Sequence, residues 1–189
     1  VAEEPMADAL VRLLREKAAH LKPGPAYDKN TTLGPLVSAS RRKNVLDWIG
    51  RGIREGAELV LDGRGISVPG YENGFFIGPT LFDHVTPGMS IGEQEIFGPV
   101  LCIKRVRNFE EGLSVMNANP FANGSVIYTQ NGRYAREFTR RTHGGMVGVN
   151  VGIPVPVCSF GFTGHKRSFF GDLHTMGTDG VRFYTEKKT

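Results

Sequence analysis

From Pro5 to Leu21 the apolar residues Met6, Leu10, Leu13, Leu14 and Leu21 recur every three to four positions. That spacing predicts an amphipathic helix, with Pro5 suited to its first turn and Pro23-Gly24-Pro25 ending it. A second helix is predicted after Ser38 or Ser40 as N-cap, with Val45, Leu46, Ile49 and Ile53 on one face and Gly56 as its stop. Glu58 to Leu61 reads as a strand closed by Asp62-Gly63. Two short extended pieces, Phe75–Ile77 and Thr80–Phe82, flank Gly78-Pro79. Val100 to Val106 is a nearly continuous apolar run, the pattern of a strand covered on both faces.

The second half alternates. Asn108 is placed to cap a helix carrying Phe109, Leu113 and Met116, and Ser125 to Thr129 reads as a strand. Asn131 caps a helix with Tyr134 and Phe138, Gly144-Gly145 ends it, and Met146 to Val151 reads as the next strand. Strands separated by helices need crossover connections, so the expected fold class is α/β with an open, mostly parallel sheet and flanking helices. An irregular stretch follows from Gly152 to Gly180. Its phenylalanines Phe160, Phe162, Phe169 and Phe170 argue for an ordered functional loop over a disordered one. Val181 to Thr185 then reads as a strand at the chain's end, giving an expected division into a main domain, 1–180, and a tail strand, 181–189.

At 189 residues with 40% hydrophobic content, one ordinary domain with an appendage is the expectation. The net charge of +4 comes from short basic runs on predicted helices, Arg41-Arg42-Lys43 and Arg140-Arg141, with no nucleic-acid-binding module beside them. No apolar stretch approaches the ~20 residues needed to span a bilayer. The two cysteines, Cys102 and Cys158, have no metal-ligand spacing and suggest no disulfide framework, which fits a reducing, cytoplasmic setting. The N-terminal targeting region is not visible. His20, His84 and His174 read as surface or turn residues, and Cys102, inside an apolar run, as an inert core thiol. Cys158 with His143 or His165 has the residue types of a thiol nucleophile and base, but no oxyanion-stabilising group accompanies them. Gly63-Arg64-Gly65 is too short to be a dinucleotide fingerprint.

The segment Glu95-Ile96-Phe97-Gly98-Pro99-Val100, with Gly78-Pro79-Thr80 upstream, resembles a signature of the aldehyde dehydrogenase superfamily. Leu33-Gly34-Pro35-Leu36, Asn119-Pro120-Phe121-Ala122-Asn123-Gly124 and Gly148-Val149-Asn150 resemble further landmarks in the same order. The loop with Ile153-Pro154-Val155-Pro156, Phe160, Phe162-Thr163-Gly164, Ser168-Phe169 and Gly171-Asp172 is similar to the methylmalonate-semialdehyde dehydrogenase branch, as is Gly70-Tyr71-Glu72-Asn73-Gly74. Val157-Cys158-Ser159 departs from that pattern.

The resemblance implies the C-terminal part of an aldehyde dehydrogenase catalytic domain that oxidises a short acyl semialdehyde with NAD and passes the acyl group to coenzyme A. It implies that Glu95 accepts hydrogen bonds from the nicotinamide ribose hydroxyls, that Phe97 packs on the nicotinamide ring, and that Phe162 walls the aldehyde site. Read without the resemblance, Glu95 is a surface acid, Phe97 a core aromatic and Phe162 a loop anchor. The resemblance further implies that the nucleophilic cysteine precedes Val1, and that the tail strand joins a neighbouring subunit in a homo-dimer or homo-tetramer. No metal, nucleic acid or membrane partner is expected. A hydrolytic relative releasing the free acid, or a folded module without turnover, are the other readings.

Overall fold

A computed structural model describes residues 1–171 and 174–189, so Asp172 lies outside the described residues. The chain divides into two units, Val1–Asn108 and Phe109–Thr189. This differs from the expected 1–180 and 181–189. The break falls where the apolar run ends at Val106 and a new helix begins.

In the first unit, β1 (Ala2–Glu3) leads straight into α1 (Glu4–Ala19), and α2 (Ala39–Arg54) starts at Ser38, whose Oγ accepts the Arg41 N–H at 3.2 Å. Then follow β2 (Glu58–Leu61), β3 (Thr80–Asp83), α3 (Ser90–Glu93), β4 (Val100–Cys102) and β5 (Arg105–Val106). β2 lies antiparallel to β3, β3 parallel to β4, and β5 parallel to β1. The single strand expected from 100 to 106 is thus two, because the chain changes partner from β3 to β1. Nor are both faces covered along it, since Leu101 is 49% exposed. Phe75–Ile77 is not a strand either. Its carbonyls are taken by the Leu36 N–H (Phe75 O, 2.9 Å) and by Arg42 Nε (Phe76 O, 3.0 Å), which satisfies the backbone without a neighbouring strand.

Successive residues of β3 point to opposite faces, and both faces are buried. Phe82 enters a core with Val45, Ile49, Ala57, Ile77, Val85 and Ile91, which joins α2 to α3. Leu81 enters another with Ala2, Ala7 and Ile103 under α1. The unit is therefore a small layered α/β body with helices on both sides of its strands. Each fully buried Phe or Ile contributes about 1.5–3 kcal/mol to such a core.

One ion pair closes the strand ends. Arg105 Nη2 donates to Asp83 Oδ2 at 2.6 Å and its Nε reaches both carboxylate oxygens at 3.2 Å, while Nη1 reaches Asp8 at 2.8 Å and Glu4 at 3.4 Å. Burial works against the charged form of Asp83. The Arg105 bonds and the His84 N–H outweigh it and hold the carboxyl below its ordinary value.

The turn before β4 is anchored on α2. A Cβ on Gly98 would stand 2.7 Å from Val45 Cγ2, so the turn backbone packs too closely on the Val45 side chain to carry a side chain of its own. Ile96 packs on the first core, and the Thr80 N–H donates to Pro99 O at 2.8 Å.

The second unit runs α4 (Phe109–Ala118), β6 (Phe121–Ala122), β7 (Gly124–Ile127), α5 (Gly132–Arg141), β8 (Met146–Val149), β9 (His165–Lys166) and α6 (Gly177–Phe183). β7 and β8 are parallel with α5 as their crossover, and β6 pairs antiparallel with β9. Asn131 Oδ1 accepts the Arg133 N–H at 2.9 Å and so caps α5 as expected. Phe109, Leu113 and Phe138 form the core, with Ile127 and Val147 against it. Arg141 grips Glu110 through two bonds of 2.6 and 2.8 Å, tying α5 to α4.

The terminal segment departs from expectation. Residues 181–185, expected as a strand, belong largely to α6, with Val181, Phe183 and Tyr184 exposed. A strand there has no partner among the described residues, whereas a helix satisfies its own backbone groups. Among the described residues no helix is long and apolar enough to cross a membrane.

Arg105→Ala leaves Asp83 buried and unpaired, so stability should fall by about 3 kcal/mol or more, read from the denaturant midpoint. Because the folded-state carboxyl titrates below its ordinary value, the stabilisation is present above that value and lost as pH falls through the depressed one. The gap between wild type and variant should therefore narrow in acid. A pH-independent gap would contradict the charge pairing. Gly98→Ala should cost about 1–3 kcal/mol through overpacking. Gly34→Ala, with nothing within 4 Å of the added carbon, serves as the control. Equal melting of these two variants would contradict the close approach.

Candidate functional site

The Glu95–Gly98 turn is held at both ends. On its N-terminal side Glu55, at the end of α2, accepts from Ser90 Oγ at 2.5 Å and from the Ile91 N–H at 3.4 Å, which fastens α3 to α2. The Ser90 hydroxyl in particular holds the Glu55 carboxyl below its usual range. On the C-terminal side the Val100 N–H donates to Gly98 O at 2.8 Å, and Gly98 itself lies against Val45. Between these anchors Ile96 turns inward, and Glu95 and Phe97 turn out.

Phe97 is 66% exposed, unusual for a ring on an anchored turn, so it is not the core aromatic that pattern alone suggests. Glu95 is exposed and shares no ion pair with another described residue. A free carboxylate and an open aromatic face thus stand two residues apart on a rigid support. The pair suits a ligand with hydroxyl donors beside a flat ring. Arg41, in the first turn of α2, lies over the Phe97 ring with its guanidinium carbon 5.7 Å from the centroid. Sequence reasoning missed Arg41. Nothing in the local pattern links it to a residue on a distant turn, and it reads there as one more charge on a solvated face.

Phe162 lies in the second unit. It is half-buried, its N–H donates to Thr175 O at 2.9 Å, and the two residues form an isolated bridge. Beside it Thr163 Oγ1 donates to Gly145 O at 2.5 Å. A cleft of ≈ 370 Å³ lies here, lined by Gly145–Val149, Val151, Ile153–Pro156, Gly161 and Thr163. The neighbours of Phe162 line this cleft, and its own ring does not. Asn150, in left-handed backbone at φ 56°, closes the end of the β7–β8 pair: its Oδ1 accepts the Thr129 N–H at 2.9 Å and its Nδ2 donates to Thr129 O at 3.0 Å. Lys166 Nζ donates to Asn117 O at 2.5 Å and Asn119 O at 2.9 Å, pinning β9 to the end of α4.

The two thiols differ. Cys102 is half-buried, and burial pushes its pKa up to about 11, which keeps it protonated near neutrality. Cys158 is exposed on the loop. His20 and His84 are exposed, but His174 is not the simple surface residue expected. Its Nδ1 is buried without a hydrogen-bond partner among the described residues, and its ring centroid lies 4.4 Å from that of Phe169.

The model of the aldehyde dehydrogenase family matches residues 1–189. Malonate-semialdehyde dehydrogenase of Pseudomonas aeruginosa is 50% identical over 183 residues, covering 97% of this chain and 37% of that protein. A solved protein from Sinorhizobium meliloti 1021, described as a methylmalonate-semialdehyde dehydrogenase and complexed with NAD, is 46% identical. It superposes with a TM-score of 0.95, covering 98% of this chain and 38% of its own. Methylmalonate-semialdehyde dehydrogenase of Oceanimonas doudoroffii gives 44% identity and a TM-score of 0.93, over 96% of this chain and 37% of its own. The chain thus spans little more than a third of the length of these relatives. A match along its whole length, in sequence and in fold, identifies it as a member of the aldehyde dehydrogenase family.

Proposed function

We propose that this chain is the part of an NAD-dependent semialdehyde dehydrogenase that holds the nicotinamide end of the cofactor, in an enzyme converting a short acyl semialdehyde to its acyl-CoA. The observation that carries the reading is the anchored turn with Phe97 open to solvent and Glu95 free beside it. Support also comes from the similarity to malonate- and methylmalonate-semialdehyde dehydrogenases, one of them solved with NAD.

In this reading Glu95 accepts hydrogen bonds from the vicinal ribose hydroxyls, and Phe97 offers its free face to the nicotinamide ring. Bound NAD supplies the hydride acceptor. The turn contributes orientation, since a ring fixed on one face presents its other face to the substrate. The loop 150–164, with Phe162, bounds the aldehyde. In the same reading the thiol that attacks the aldehyde, and from which the acyl group passes to coenzyme A, belongs to a part of the enzyme other than these 189 residues. Cys102 is held protonated by burial, and Cys158 stands exposed on a loop that departs from the family pattern.

Glu95→Gln in a polypeptide of full family length should weaken NAD handling and slow hydride transfer at least tenfold, with little change in the KM for aldehyde. A charged acceptor shared by two hydroxyls is worth ~1.5–3 kcal/mol. Steady-state kinetics with both substrates varied checks this, and wild-type kcat and KM for NAD in the variant would contradict it. The 189-residue chain alone should form no NADH from aldehyde, with or without coenzyme A. Steady NADH production that disappears in Cys158→Ser would instead place the nucleophile within the chain.

A further inference from the structure

We propose that Arg41 sets the relative affinity of this site for the oxidised and reduced forms of the nicotinamide cofactor, by occupying one face of the Phe97 ring. The inference rests on the reading of Phe97 as the nicotinamide wall and goes beyond it, to what lies behind the wall.

Arg41 is well placed to hold its position. Its backbone N–H is fixed by Ser38 Oγ at 3.2 Å, and its Nη1 donates to Asn44 Oδ1 at 3.3 Å, one turn along α2. The side chain is half-buried, and its guanidinium carbon sits over the ring at 5.7 Å from the centroid. That lies within the ~6 Å range in which a cation is drawn to an aromatic face. The Gly98–Val45 contact fixes the turn that carries the ring, and the ring remains 66% exposed, which leaves its face away from Arg41 for a ligand. The neighbouring Lys43 has its charge paired with Asp47 at 2.7 Å, which leaves Arg41 as the cation directed at the ring.

The two forms of the cofactor differ in charge at the atoms that would meet this face. The oxidised nicotinamide ring is cationic and the reduced ring is neutral. A guanidinium is charged at every accessible pH, and it draws the ring's π density toward its own side. A second cation on the far face then meets a weakened quadrupole and direct Coulomb repulsion through the ring. A neutral dihydronicotinamide stacks without either cost. Glu95, exposed on the same turn, attracts the cationic form, but it does so equally whatever stands at position 41. Arg41 is thus a positioning residue for Phe97 that also disfavours oxidised relative to reduced cofactor.

The test is isothermal titration calorimetry of NAD⁺ and NADH with a polypeptide of full family length, as wild type, Arg41→Gln, Arg41→Lys and Phe97→Ala. Removing the charge in Arg41→Gln should lower the ratio of the NAD⁺ to the NADH Kd by about 2- to 10-fold, the size expected for one unit charge close by at a partly exposed site. Arg41→Lys, which keeps the charge, should keep the wild-type ratio, and the effect of Arg41→Gln should shrink at high salt. An unchanged or raised ratio in Arg41→Gln, with Phe97→Ala weakening both forms, overturns the role of Arg41 and leaves the nicotinamide reading standing. Phe97→Ala without effect on either form overturns that reading and the inference with it.

Discussion

With Val45 Cγ2 only 2.7 Å from where a side chain on residue 98 would begin, α2 and the turn before β4 are packed backbone to side chain, and the rest of the site is arranged around that contact. A turn held this closely cannot fold its own aromatic residue back into the core. Ile96 fills the core position, and Phe97 is left outside on the opposite side of the chain. The exposure of Phe97 is a consequence of close packing beneath it, and hydrophobic burial alone would not leave it there. The same contact brings the first turn of α2 alongside, which is how Arg41 comes to lie over the ring.

What keeps α2 in place is the sheet it covers. β3 sends Phe82 to α2 and Leu81 to α1, so the two helices are positioned by alternate residues of one strand. Asp83, the next residue, is the point where β3, β5 and α1 meet through Arg105. A charge with 2% exposure is tolerated there because three guanidinium contacts and a backbone N–H replace its water. The site is thus supported by an apolar core on one face of the strand layer and a charged clamp at its end.

Much of this architecture was legible in the sequence. The helices α1, α2, α4 and α5, the caps Ser38 and Asn131, and the strands β2, β3, β7 and β8 follow from periodicity and turn chemistry, which are local. The misses are non-local. The run from Val100 to Val106 is apolar enough for one strand, but its two ends find different partners, and no window along the chain encodes that. The segment 181–185 has strand composition, yet strands exist only in pairs, and with no partner among the described residues the backbone closes on itself as α6. The α/β class needed only the order of elements. Glu95 and Phe97 were singled out by their resemblance to a family signature. Composition alone made Glu95 a surface acid and Phe97 a core residue, and the second of these is overturned by an exposure that only tertiary packing determines.

In the proposed function the Glu95–Phe97 turn is a preformed support for the nicotinamide end of NAD. A crystal structure of a full-family-length polypeptide with NAD bound tests it most directly. The expected result is a Glu95 carboxylate oxygen within about 3 Å of each ribose hydroxyl, the Phe97 ring against the nicotinamide, and the turn backbone unmoved from its position on Val45. A ribose held by other residues, with Glu95 turned to solvent and Phe97 away from the ring, would contradict it.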